Sequence, residues 1–173
     1  MIGIDVGYQG LAMCLVHPIA ESIIEDQKIK ITGYQDMYHW FKNELINDQL
    51  NVLEITKFLK QEDFYDKKVI LEDVHAFPKQ GVSSTFKFAY SKGLLIGICK
   101  ALGYQIIMVS PQAWKNYYNL LTKDKKMSIL KAKEFLPEES WSFINKNHNN
   151  AEAFLLCNLL RNVGYLKMNY KEI

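Results

Sequence analysis

Between Lys68 and Gly103 the chain reads KVILEDVHAFPKQGVSSTFKFAYSKGLLIGICKALG. The apolar run Val69-Ile70-Leu71 drops directly into two acids, Glu72 and Asp73, and a turn-rich segment then gives way to a long apolar helix pattern. A short apolar run bounded by turn residues reads as a buried strand. Gly103 ends the helix, and a second apolar run, 104–109 (YQIIMV), follows at once. Strand, helical crossover and strand make a parallel βαβ unit. No other feature constrains the fold as much. A parallel pair has to be covered by helices, and it brings a carboxylate to the C-terminal rim of a strand, where open sheets of this kind place their chemistry.

The remaining elements are read outward from that unit. Residues 1–6, an apolar run broken by Gly3, form a buried first strand with Asp5 at its end. Residues 11–16 (LAMCLV) form a second strand, ended by Pro18, and 21–33 a third, bent near Asp26-Gln27. Three strands in so short a span predict an antiparallel meander. From 38 to 60 there is no Gly or Pro. The apolar spacing of Tyr38, Phe41, Leu45, Val52, Ile55 and Leu59 predicts one helix, with a break allowed around Asn47-Asp48. A loop covers 75–82, and Ser83 or Ser84 is the expected cap of the helix that runs to Leu102. Gly93 and Gly97, four apart on that helix, give a flat stripe for close approach of the sheet or of a partner subunit. Ser110-Pro111 opens another helix, with Ser as cap and Pro in the first turn. Residues 127–136 form a helix stopped by Pro137, 145–150 (NKNHNN) a polar turn, and 151–163 a final, well-buried helix. The fold class is therefore α/β: a mixed five-stranded sheet, three antiparallel strands and then parallel βαβ units, flanked by helices.

At 173 residues the chain reads as a single domain, 1–173, with room for a substantial core. Its net charge of +2 neither requires nor excludes a nucleic-acid partner, so any basic surface has to be local. Cys14, Cys99 and Cys157 lie far apart in apolar surroundings without a CxxC pair, as expected of reduced core thiols in a cytoplasmic protein. A strand at the very start leaves no signal peptide, and no apolar run is long enough to span a membrane.

Three acids stand out by context. Asp5 lies in a buried strand, Glu72 ends another, and Glu152 is in the first turn of an apolar helix, four residues after His148. Residues four apart share a helix face, so His148 and Glu152 can point at one spot. Each acid alone has an ordinary explanation: a solvated strand end, or a carboxylate favoured by a helix dipole. Together they suggest a metal site, because buried carboxylates repel one another unless a cation neutralises them. Oxygen donors suit Mg²⁺, with Mn²⁺ as a substitute. Two such ions about 4 Å apart would clamp the attacking and leaving oxygens of a phosphodiester displacement, with Asp5 as the natural bridge.

The opening IGIDVGYQG, the strand end ILEDV, the run FPKQGVSSTFKFAYSKGLLIGICKALG, then VSPQAWK, KDKK and NHNNAEAFLL occur in one order. In that order they resemble RuvC-like Holliday-junction resolvases, and most closely the phage and organellar branch. The resemblance runs from Met1 to about Gly164. It implies a ribonuclease H-like fold, a homodimer, and paired Mg²⁺-dependent nicks in four-way or related branched DNA. It implies metal-ligand roles for Asp5, Glu72, Glu152 and His148, and a place for Lys115 near the scissile phosphate. Asn149, three before Glu152, competes with His148 as fourth ligand. Asp73 directly follows Glu72, and since strand neighbours face opposite ways only one of the two can face the metals; the motif favours Glu72.

A junction-binding face needs cations for phosphates and a few groups for unstacked bases. Lys79, Lys87, Lys92, Lys123, Lys125 and Lys126 are the candidates for the first, and His75 and Phe77 for the second. His75 stands where bacterial members of the family carry an aromatic residue. Arg161 is the only arginine, so bidentate reading of guanine does not dominate, and weak sequence preference is expected. Two other readings compete. One is a broader flap or branched-DNA nuclease. The other is an actin-like or sugar-kinase-like ATPase, suggested by IGIDVGYQG, for which the chain is too short.

Overall fold

The computed structural model describes residues 1–7, 10–25, 28–44, 50–60, 67–75, 80–145, 147–163 and 170–172. Strands β1 (Ile2–Gly7), β2 (Gly10–Glu25) and β3 (Lys28–Glu44) form the meander, and helix α1 (Val52–Lys60) leads into β4 (Lys68–Glu72). Helix α2 (Val82–Ala101) crosses to β5 (Gln105–Val109), followed by α3 (Pro111–Tyr117) and α4 (Lys126–Lys133). A single 3₁₀ turn, α5 (Trp141–Ile144), α6 (His148–Val163) and β6 (Tyr170–Glu172) complete the order. The sheet runs β3-β2-β1-β4-β5-β6. β1–β2 and β2–β3 are antiparallel, and β1–β4 and β4–β5 are parallel, as the sequence predicts. The sixth strand, antiparallel to β5, is an addition to the five expected. Its three residues are too few to show a period.

The meander is longer than predicted. β2 continues through Pro18, and residues 38–44, expected to be helical, belong to β3. The Val16 N–H donates to Met1 O (3.1 Å), and donors two apart on a strand point the same way. Position 18 therefore faces the side where β1 has ended, and a missing N–H there breaks no ladder bond. The segment 21–33, expected to be one strand, is divided between β2, which ends at Glu25, and β3, which begins at Lys28; those two residues pair, and the predicted bend at Asp26-Gln27 lies outside the described residues. In β3, Tyr38 and Trp40 pack against Phe154 of α6 while Phe41 packs against Phe58 of α1. That is alternation with period two, which a spacing of 38, 41 and 45 mimics as helical.

Alternation also sorts the sheet into two cores. Ile2, Ile4, Val69 and Leu71 face Leu95 and Cys99 of α2. Ile70, Ile107 and Val109 face Trp114 of α3 and Phe154, Leu155 and Cys157 of α6. Gly3 lies on the α6 side, where a Cβ would stand well inside van der Waals contact of Ala153 O and 2.5 Å from Cys157 N. The missing side chain is what lets α6 lie directly on β1.

Helix α2 starts with Gly81 in the cap position and no side-chain cap, so neither Ser83 nor Ser84 caps it. It ends at Leu102 and Gly103, the latter at φ +79°, with the Tyr104 N–H returning to Cys99 O (2.9 Å). Its buried side is Ser91, Leu95 and Cys99. Gly93 and Gly97 are exposed with nothing within 4 Å of a built Cβ, which overturns the reading that they pack on the sheet. The three cysteines are buried and unpaired, as expected. No helix among the described residues is long and apolar enough to cross a membrane.

Candidate metal centre

Strand parity places the acids. Gly3 and Asp5 share a face of β1, so Asp5 emerges on the α6 side just beyond the point where that helix touches the strand. In β4, Ile70 faces the same core, and Glu72, two further on, follows it. The β1–β4 register pairs Ile4 with Leu71; continued by one residue, it sets Asp5 beside Glu72. Asp73 faces the other way, toward α2, where Lys92 Nζ donates to its Oδ1 (3.1 Å) and to Val74 O (3.2 Å). The choice between the two adjacent acids is thus made by the face that α6 covers. Glu152, one turn into α6, is buried at 8% exposure and accepts from Ser128 Oγ of α4 at 2.9 Å. Glu72 Oε1 accepts from the Trp114 indole N–H at 2.8 Å.

Asp5, Glu72 and Glu152 form one electrostatic neighbourhood. Asp5 keeps a little surface of its own but is shut in by the surrounding protein. Burial, then the charges of Glu152 and Glu72, push its carboxyl from 3.8 up to about 8, while Lys115 and Lys125 pull it down. Glu72 is also raised, by burial first, against the lowering effect of the Trp114 hydrogen bond and Lys115. Lys115 lies partly buried with its Nζ 5.1 Å from the Trp114 ring centroid. Two lysines therefore do not supply enough positive charge, and the shortfall is what a divalent cation with oxygen ligands would meet. Among the described residues, no three His, Cys, Asp or Glu side chains stand close enough to share one ion as placed. Trp114 and Ser128 each engage one of the acids. Asp5, Glu72 and Glu152 are the carboxylates that this face of the sheet brings into one electrostatic neighbourhood.

The other predicted residues are spread around this centre. His148 opens α6 and stands on the wall of a cleft of about 730 Å³, shared with Asp124, Lys125, Lys126, Ile129 and Asn145. Asn149, its rival, is partly buried, and its N–H donates to Asn147 Oδ1 (3.0 Å). Lys123, Lys125 and Lys126 are exposed at the entrance to α4, where Asp124 Oδ1 accepts the Lys126 N–H (2.8 Å). Lys87 is exposed on α2, and the Lys92 ammonium is committed to Asp73 and Val74. The exposed His75 has its Nε2 3.5 Å from Asp73 Oδ2. Phe77 and Lys79 lie outside the described residues. Trp114 and Ser128 are not among the site residues expected from the sequence. Trp114 is fully buried, a buried indole N–H needs an acceptor, and that requirement is the only signal that would have pointed to a carboxylate partner.

The pH dependence follows from the sign of the Asp5 shift. Between about pH 4 and pH 8 the folded protein keeps a proton on Asp5 that the unfolded chain has released. The folded state then binds more protons, so its stability falls as pH rises through this window. In chelator, the melting temperature of the wild type is expected to decline from pH 4 to pH 8 relative to Asp5→Asn. Parallel curves for the two proteins would contradict the burial of Asp5 among acids.

No protein-family model and no curated protein matches the sequence. Among the solved structures similar to this chain are two that match over the full length of both chains. The structure described as T. thermophilus RuvC in complex with Holliday junction substrate has a TM-score of 0.62 at 14% identity, covering 100% of each chain. The Thermus thermophilus RuvC structure has a TM-score of 0.57 at 13% identity, again covering 100% of each. At that identity the likeness concerns the fold: this chain has the RuvC-like, ribonuclease H-like α/β fold that its motifs led us to expect.

Proposed function

We propose that the chain is a metal-dependent endonuclease that nicks four-way DNA junctions as a homodimer, of the phage and organellar type of RuvC-like resolvase. The observation that carries this reading is the coupling of Asp5, Glu72 and Glu152. They come from three elements remote in sequence and meet on one face of a RuvC-like sheet. In this reading Asp5, Glu72 and Glu152, with His148 from the adjoining cleft, hold two Mg²⁺ ions or Mn²⁺ in their place. Bound metal would activate water and stabilise the charge on the phosphodiester oxygens. Lys115, beside the acids, positions the scissile phosphate. Lys123, Lys125 and Lys126 hold flanking phosphates, which places DNA without reading its sequence. Lys79, Lys87, His75 and Phe77 extend the contact toward the branch point. Such an enzyme works in the cytoplasm, that of the host if phage-encoded.

The test is cleavage of a four-way junction, a flap and a linear duplex of matched sequence, with Mg²⁺ or Mn²⁺. Paired symmetric nicks in the junction are expected, at similar rates across junction sequences. Equal cutting of flaps would favour the broader branched-DNA nuclease. One sharply preferred dinucleotide would refute weak sequence preference, and no cutting with either ion would overturn the reading.

The homodimer is supported by α2. Val82 (86% exposed), Phe86 (71%) and Tyr90 (48%) form a single stripe with Gly93 and Gly97 along its outer face. A continuous apolar stripe of this kind is unusual on a monomer, and two small residues let a second helix approach closely. Phe86→Asp is expected to convert a dimer to a monomer in sedimentation with an unchanged melting temperature for the subunit fold. A variant still dimeric at micromolar concentration would place the interface elsewhere.

A further inference from the structure

We propose that Trp114 and Ser128 are positioning residues for the metal carboxylates: each fixes one oxygen of one acid, Glu72 and Glu152 respectively, and leaves the second for a cation. This rests on the metal-dependent reading above.

The placement of both donors is built into the fold. Glu72 pairs with Val109 at the ends of β4 and β5. Ser110 follows at once and caps α3 by accepting the Ala113 N–H (3.2 Å), with Pro111 in the first turn. One turn later Trp114, fully buried, delivers its indole N–H to Glu72 Oε1 at 2.8 Å. The face of the same ring seats the Lys115 ammonium. Ser128 is buried on α4, and its hydroxyl crosses to Glu152 Oε1 at 2.9 Å. A helical serine usually returns its hydroxyl to its own backbone one turn earlier; here it serves another helix. Among the described residues neither acid accepts a second hydrogen bond.

The chemistry of the donors separates these acids from their neighbour. Asp73, one residue from Glu72, is met by an ammonium, Lys92, and is thereby neutralised. Glu72 and Glu152 are met by uncharged donors. An indole N–H or a hydroxyl sets the direction of a carboxylate without supplying the positive charge that would make a metal unnecessary. These donors keep both acids oriented.

Binding of Mn²⁺ alone to the full-length protein, read from the free-ion signal in electron paramagnetic resonance, tests this. The variants are Trp114→Phe, which keeps a ring but loses the N–H, Ser128→Ala, and Ser128→Thr, which keeps the hydroxyl. Trp114→Phe and Ser128→Ala are expected to weaken binding about 10–100-fold, the usual effect of losing an outer-shell partner, and Ser128→Thr to stay near wild type. If Trp114→Phe fails to fold, the Ser128 pair decides. Affinities within twofold across all variants would overturn the positioning roles and leave the nuclease reading intact, as would a loss in Ser128→Thr equal to that in Ser128→Ala. Mn²⁺ binding that does not depend on Asp5 would overturn both. Asp5-dependent binding by a protein that cuts no junction would overturn the nuclease reading only.

Discussion

Asp5→Asn is expected to lower junction cleavage by about 10³-fold while leaving the protein folded. The magnitude follows from the role. A metal acting on a phosphodiester contributes several kcal/mol of transition-state stabilisation, and about 4 kcal/mol corresponds to about 10³ in rate. The substitution is nearly isosteric, so the shape of the site survives and the change is in charge. Asp5 is the acid that both others act on: burial, then Glu152 and Glu72, raise it. With a neutral amide there, the metal-free protein loses a costly buried carboxyl and is expected to melt higher at neutral pH, not lower. Loss of activity with gain of apo stability is a signature that misfolding cannot produce. Cleavage and calorimetry in chelator, measured on one preparation, check both halves. Activity within tenfold of wild type would remove Asp5 from the centre.

Gly3→Ala is the substitution expected to do most damage to the fold. A Cβ at that position meets backbone of α6, namely Ala153 O and Cys157 N, as well as Cys157 Cβ at 2.9 Å. A side chain in the way can rotate; a helix backbone has to translate. Overpacking of a well-filled core costs typically 1–3 kcal/mol, and the upper end, about 3 kcal/mol, applies when the obstacle is backbone. For a chain of this size that is a fall of roughly 10 °C in melting temperature. The functional consequence is specific, because Glu152 is the immediate neighbour of Ala153. Pushing α6 off β1 carries Glu152 away from Asp5, so cleavage is expected to fall in the population that remains folded. Ala153→Gly should not rescue it, since the clash is with a carbonyl. A melting temperature within 2 °C of wild type would mean that α6 is not seated on β1 as described.

These two residues show what kind of information each stretch of sequence holds. The IGIDVG segment carries a glycine inside a strand, which announces a close backbone approach, but nothing in six residues says which element approaches. The 38–44 segment has the opposite problem. Tyr38 and Phe41 fit a helix and Tyr38 and Trp40 fit a strand, and the long pairing of β2 with β3, not local spacing, decides between them. Pro18 looks like a terminator until the extent of β1 is known, because only then is the side of the missing N–H harmless.

The sequence by itself determined the βαβ unit, the strand ends carrying Asp5 and Glu72, the helix carrying Glu152, and the fact that Glu72 and Asp73 face opposite ways. Those are properties of period and sequence neighbourhood, which are local. Only the tertiary structure decided which face of the sheet α6 covers and so which of the two adjacent acids lies beneath it, that α6 rests on Gly3, that Trp114 and Ser128 hydrogen-bond the carboxylates, and that the Gly93–Gly97 stripe faces outward. Each depends on which surfaces meet across long stretches of chain, and side-chain period records a face without recording what comes to cover it.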